Sequence, residues 1–125
     1  QGDAGLGQAT AYFTMLGYDI ALPLTDSADW DLIVEMDDGL KRVQVKTSSQ
    51  ITETGIMMFN CDVKGGNRTG TKPPKTIQQQ QWDFIFLHHL VTGKQALIPK
   101  AAITAKGQIN LGSNQCKYKD FMING

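Results

Sequence analysis

The sequence predicts a mixed α/β domain, built from one leading helix, a mainly antiparallel sheet and short covering segments. Three observations carry that reading. Leu6, Ala9, Phe13 and Leu16 recur at helical spacing near the start of the chain. From Tyr18 onward, short apolar runs and alternations separated by turn residues replace that spacing. The chain has 125 residues, 41% of them hydrophobic, which suits a single domain over 1–125 able to bury its own core.

The elements follow in order. Residues 3–16 read as a helix, with Asp3 as a cap and Gly17 where helices commonly end. Tyr18 to Leu22 alternates as a short strand that Pro23 stops, and 25–29 is a polar turn. Trp30 to Met36 and Leu40 to Thr47 form a hairpin around the turn signal Asp38-Gly39. Gly55 to Val63 reads as a further strand, and 64–76 as a basic loop rich in Gly and Pro. Ile77 to Gln81 is a helical turn or part of that loop. Trp82 to Leu90 and Lys94 to Ile98 are strands joined through Thr92-Gly93. Pro99 to Thr104 reads as a short helix, with strands at Ile109–Leu111 and Tyr118–Ile123.

Composition narrows the function classes. The apolar fraction is too high, and the net charge of zero too low, for disorder. No apolar run approaches the roughly 20 residues of a membrane span, so no membrane association is expected. No basic-then-apolar leader opens the chain, and the missing initial Met points to a trimmed chain. Cys61 and Cys116 lie far apart without CxxC spacing, which fits free thiols in a reducing, cytoplasmic setting and excludes a zinc ribbon. Charge is unevenly divided. Residues 1–63 hold ten acids and three bases, a net of −7, and residues 64–125 hold two acids and nine bases, a net of +7. An acidic centre beside a basic surface suits a metal placed next to a polyanion. Interleaved solvated faces would give the same split.

The hairpin is the most informative stretch. With Asp38 and Gly39 as its loop, Glu35 faces Arg42, Ile33 faces Gln44 and Asp31 faces Lys46. Period-two alternation then puts Asp31, Gln44 and Lys46 on one face, and Trp30, Leu32, Val34, Val43 and Val45 on the core face. A carboxylate and an amide oxygen, completed by the Val45 carbonyl, can hold Mg²⁺, with Mn²⁺ as an alternative. The Lys46 ammonium can orient an attacking water and stabilise charge on phosphate. An ordinary cross-strand Asp–Lys pair, contributing about 0–1 kcal/mol, would look the same, and spacing alone leaves both readings open.

"WDLIV", eight intervening residues and "VQVKTSS" resemble the signature of the PD-(D/E)XK nuclease superfamily. The Gln44-Val45-Lys46 variant is similar to the Q-x-K motif of the small homing endonucleases of cyanobacterial group I introns. "GLGQATAYFTMLGYDIALPL" resembles their leading helix and first strand, and "WDFIFLHHLVTGKQALIP" their later strand pair. The resemblance covers roughly residues 5–100. It implies a restriction-endonuclease-like core, metal-dependent cleavage of DNA, a prokaryotic or phage-like source and assembly into a dimer or tetramer. Asp31, Gln44 and Lys46 would be the catalytic set. Relatives place a Glu on the leading helix, and the matching residue here is Gln8. Three readings of Gln8 stand open: a Glu replaced to block cleavage, a site that recruits Asp29, Asp26 or Asp3 instead, or a silent DNA-binding module. A junction resolvase or repair nuclease on the same fold is a further alternative.

Lys64, Arg68, Lys72 and Lys75 on the basic loop, with Ser48 at the end of the return strand, are candidate DNA contacts. A phosphate-binding P-loop is excluded, because Thr71 follows Gly70 where Lys is required. The adjacent His88 and His89 face opposite sides of a strand and are not a metal pair. The Gln78–Gln81 run reads as a solvated turn, and Cys61, Trp30 and Trp82 as packing residues.

Overall fold

A computed structural model describes residues 2–25, 27–62, 75–112 and 117–123. Helix α1 (Gly2–Met15) leads the chain. It stops in a Schellman arrangement: Tyr18 N–H donates to the Phe13 carbonyl at 3.1 Å and Gly17 N–H to that of Thr14 at 2.9 Å, with Gly17 at φ 87°. Leu16 therefore falls beyond the helix and is 54% exposed instead of completing the apolar stripe. Ala9 and Phe13 carry that stripe, fully buried against Leu32, Val34, Val43 and Phe86.

Strands β1 (Asp19–Ala21), β2 (Leu32–Met36), β3 (Gly39–Ser48), β5 (Phe84–His89), β6 (Gln95–Pro99) and β8 (Met122–Ile123) make one sheet in the order β1-β2-β3-β5-β6-β8. All its pairs are antiparallel except β3 with β5, which are parallel. Strands β4 (Met57–Asn60) and β7 (Gln108–Leu111) leave this sheet and pair with each other. The mainly antiparallel sheet expected from sequence is thus divided in two, with β4 outside the main one. Short 3₁₀ turns occupy Ile77–Gln79, Lys100–Ala102 and Lys119–Phe121, so the short helix and last strand expected from sequence shrink to these turns and to β8.

Alternation divides the sheet between two cores. Val43, Phe86 and Leu32 face α1, whereas Ile85, Leu87, Ala96 and Ile98 face β4, β7 and Trp82. The central strands are covered on both faces, and Gln44, on the β4 side, is only 7% exposed.

The hairpin turn differs from expectation. Its loop is Asp37-Asp38, with Met36 opposite Gly39, so Glu35 faces Leu40 and Ile33 faces Arg42. An Asp-Gly type I′ loop needs positive φ at both residues. Among the described residues no non-glycine has positive φ, and Gly39 alone takes it here, at 128°. Each residue of β2 therefore meets a partner two positions earlier than expected. A shift of two keeps parity, so the two faces survive while the facing pairs change. Continuing the ladder brings Asp31 beside Gln44, not Lys46. Asp31 itself lies in a bend before β2, its N–H donating to the Val43 carbonyl at 2.8 Å. Alternation stops there, and Trp30 packs against the Trp82 core instead of joining Leu32.

The Gln78–Gln81 run is exposed, as a solvated turn is, at every residue but Gln80. Gln80 is fully buried, donating to the Cys61 carbonyl at 2.7 Å and accepting from Trp82 Nε1 at 2.8 Å. Among the described residues no helix is long and apolar enough to cross a membrane.

Candidate active site

Two side-chain oxygens converge on one backbone donor. Val45 N–H lies 2.8 Å from Asp31 Oδ2 and 3.1 Å from Gln44 Oε1. Asp31 arrives from the bend before β2, and Gln44 from the middle of β3. The arrangement exists because β2 ends its ladder at Leu32. Past that point the N–H and C=O of Val45 have no β2 partner, and both point to the Asp31 side, as the two groups of one strand residue do.

The amide of Gln44 is fixed from its other end. Nε2 donates to the Asp29 carbonyl at 2.5 Å, which assigns Oε1 to the Asp31 side. The Asp29 carboxylate is itself nearly buried, its side chain 8% exposed. It receives Lys75 Nζ at 3.0 and 3.2 Å and Gln81 N–H at 2.9 Å. Lys46 alternates with Gln44 on the same face of β3, is half-buried, and forms no ion pair or hydrogen bond with another described residue. Burial raises the Asp31 carboxyl above the usual range; the Val45 N–H and the Lys46 charge offset part of that rise. Burial also pushes the Cys61 thiol up to about 12, so Cys61 stays protonated and packs as an apolar residue.

Other predicted residues lie elsewhere or have internal partners. Gln8 is exposed on α1, where its Oε1 accepts from Gln95 Nε2 at 3.0 Å; that amide also contacts His88 Nδ1 at 3.1 Å. His88 belongs to the face of β5 that α1 covers, opposite the face of Gln44 and Lys46, so the structure does not bring Gln8 to them. Ser48 Oγ donates to the Met58 carbonyl at 2.5 Å and accepts from Gln50 N–H at 3.0 Å, which ties β3 to β4. Lys75 is held by Asp29. Lys64, Arg68, Lys72, Cys116 and Asp26 fall outside the described residues, as does the side chain of Asp3. His89 is buried and bonded to the Gln50 carbonyl and to Thr92, a structural role.

Asp29 and Gln81 are site residues that sequence reasoning missed as supports. The Asp29-Trp30-Asp31 spacing was the one visible signal; a backbone carbonyl's role leaves no pattern. An open groove adjoins the site at Gln81, with Lys41, Arg42, Gln78 and Lys100 along it. Lys100 Nζ donates to the Gln80 carbonyl and lies 5.9 Å from the centre of the Trp82 ring.

Among the described residues no three His, Cys, Asp or Glu side chains cluster as a metal site. The donors present are instead one carboxylate, one carboxamide oxygen and one backbone carbonyl, all hard oxygens of the kind Mg²⁺ and Mn²⁺ accept. They fit a weakly held, water-rich divalent ion.

The site thus sits on a helix-backed sheet whose hairpin carries an acid before one strand and an amide-x-lysine on the next. The chain matches the family model of the PD-(D/E)XK endonucleases over residues 1–121 and belongs to that family. Nucleases of this family generally use divalent metals. Among solved structures it is similar to the bacterial homing endonuclease I-Ssp6803I, with a TM-score of 0.67 and 20% identity over 97% of this chain and 84% of that one. A search of curated proteins gave no match. The fold is therefore the restriction-endonuclease-like one that the resemblance implied.

Proposed function

We propose that this chain is a metal-dependent endodeoxyribonuclease of homing-endonuclease type, which hydrolyses DNA phosphodiester bonds. The observation that supports it most directly is the convergence of Asp31 and Gln44 on the Val45 N–H, with Lys46 next along the same face. Asp31, Gln44 and the Val45 carbonyl would hold Mg²⁺ or Mn²⁺. When bound, such an ion would supply Lewis-acid stabilisation of phosphate charge and a more acidic water. Lys46 then has two tasks. Its ammonium orients the attacking water and offsets charge building on the phosphate oxygens. It is available for both because no described acid holds it. The half-buried setting strengthens these interactions by excluding bulk water.

Gln8 has no part in this reading, because its amide is engaged with Gln95. Lys64, Arg68 and Lys72 remain proposed DNA contacts on the basic segment, and a homo-oligomer is the proposed means of reaching both strands.

The test is cleavage of plasmid and four-way-junction DNA with Mg²⁺ or Mn²⁺. Cutting that Asp31→Ala and Lys46→Ala abolish is the expected result. Preference for the junction would reassign the chain to a resolvase-like role. Salt-sensitive DNA binding without cutting of either substrate would leave a silent binding module. Gln8→Glu should leave cleavage unchanged; a gain would restore the helix position to the site.

A further inference from the structure

We propose that Asp29 is a positioning residue, which aims the oxygen of Gln44 at the metal and so lets a carboxamide serve as a ligand. This rests on the nuclease reading above. A glutamine presents an acceptor oxygen and two N–H donors on one planar group, and only the oxygen can bind a cation. Which end faces the site depends on what satisfies the other. At 7% exposure water is not the main partner of Gln44; the Asp29 carbonyl, 2.5 Å from Nε2, is. A glutamate at position 44 would set a carboxylate oxygen against that carbonyl, with no proton between them. The Asp29 carbonyl and the Gln44 amide are thus a matched pair.

The carbonyl is held in turn through its own side chain. The Asp29 carboxylate takes both contacts from Lys75 and one from the Gln81 N–H, so segments 29, 75 and 81 meet at one residue. This is the role that outer partners of metal ligands commonly play, and losing them commonly costs 10–100-fold in metal affinity or activity.

The experiment measures Mn²⁺ affinity of the full chain, without DNA, for Asp29→Asn and Lys75→Gln. A second readout is the side-chain amide resonance of Gln44. Charge and positioning predict different signs. If only the local field mattered, removing the Asp29 charge would weaken cation binding and removing the Lys75 charge would strengthen it. Positioning predicts that both weaken it, Asp29→Asn by about tenfold, and that both shift the Gln44 amide resonance and speed its hydrogen exchange. In a Gln44→Ala background neither should weaken Mn²⁺ further, since the route from Asp29 to the metal passes through that amide. Opposite signs for the two variants, full losses in the Gln44→Ala background, or an unmoved Gln44 resonance would each overturn the proposal. If Asp29→Asn does not fold, Lys75→Gln, altering a side chain 37% exposed, carries the test alone. Absence of Mn²⁺ binding by the unsubstituted chain would instead overturn the nuclease reading beneath it.

Discussion

Gly5 of α1 lies so close to Thr47 of β3 that a methyl group added to the glycine would sit 2.6 Å from Thr47 Cγ2, and 3.0 Å from Val45 Cγ1. Both neighbours are β-branched and stiff, so they yield little. Overpacking costs about 1–3 kcal/mol, against about 1 kcal/mol of helix propensity gained. Gly5→Ala should therefore lose about 1 kcal/mol in urea unfolding. Gly7, on the same helix, has open space where its Cβ would go. Gly7→Ala should gain about 0.5–1 kcal/mol. Equal effects at the two positions would refute the close approach of helix and strand.

The Asp31 carboxyl is raised by burial, so its charged form is disfavoured in the fold. For a raised group, the stabilising contribution is full below the unfolded-state value and is lost as pH rises through the folded-state value. At pH 7 the ionised Asp31 therefore weakens the metal-free protein. Asp31→Asn should raise Tm at pH 7, with the gain shrinking as pH falls into the carboxylate range, while metal-dependent cleavage disappears. Thermal scans at several pH values check this; a gain independent of pH would mean that burial is not its source.

If DNA lies along the groove beside Gln81, its phosphates meet Lys41, Arg42 and Lys100. Lys41→Gln and Arg42→Gln should each reduce the slope of log affinity against log salt by about one unit. Fluorescence anisotropy with metal omitted measures it. Unchanged slopes would move the DNA to another surface.

The Cys61 thiol, pushed up to about 12 and fully buried, should resist alkylation at pH 8 in the native protein. In a Cys116→Ser background, iodoacetamide labelling is expected only once denaturant is added. Native labelling at the rate of a free thiol would show that the β4–β7 side opens readily.

The helix and most strands were legible because Ala9, Phe13, Val34 and Val43 follow simple periodicities. The shared face of Gln44 and Lys46 was legible too, since both lie on β3 at period two, whereas Asp31 joins them from a bend before β2 that alternation does not describe. What sequence could not show is set by backbone geometry or distant pairing. Gly39, not Asp38, takes the positive φ, and nothing in Asp38-Gly39 distinguishes the two registers. Met57 and Phe59 read as a strand of the main sheet, but their partners are Leu111 and Ile109, far along the chain. Gln8 was aligned with a metal-linked acid by its place in the motif, whereas its surroundings depend on which sheet face α1 covers. Gln80 resembled surface and is core, because its amide satisfies groups from three segments.

The parallel seam between β3 and β5 pairs Val43 with Phe84 and Ser48 with His89, residues 41 positions apart. The β2–β3 hairpin closes locally and belongs to the microsecond scale, whereas pairing across so long a loop is slow. Gln81 reaches the Asp29 carboxylate only when the chain entering β5 is in place. The long-range pairing that brings β5 beside β3 is thus also what places Gln81 at the Asp29 carboxylate that backs Gln44. A newly made chain is expected to close its hairpin early and to gain the Gln81 contact to Asp29 late.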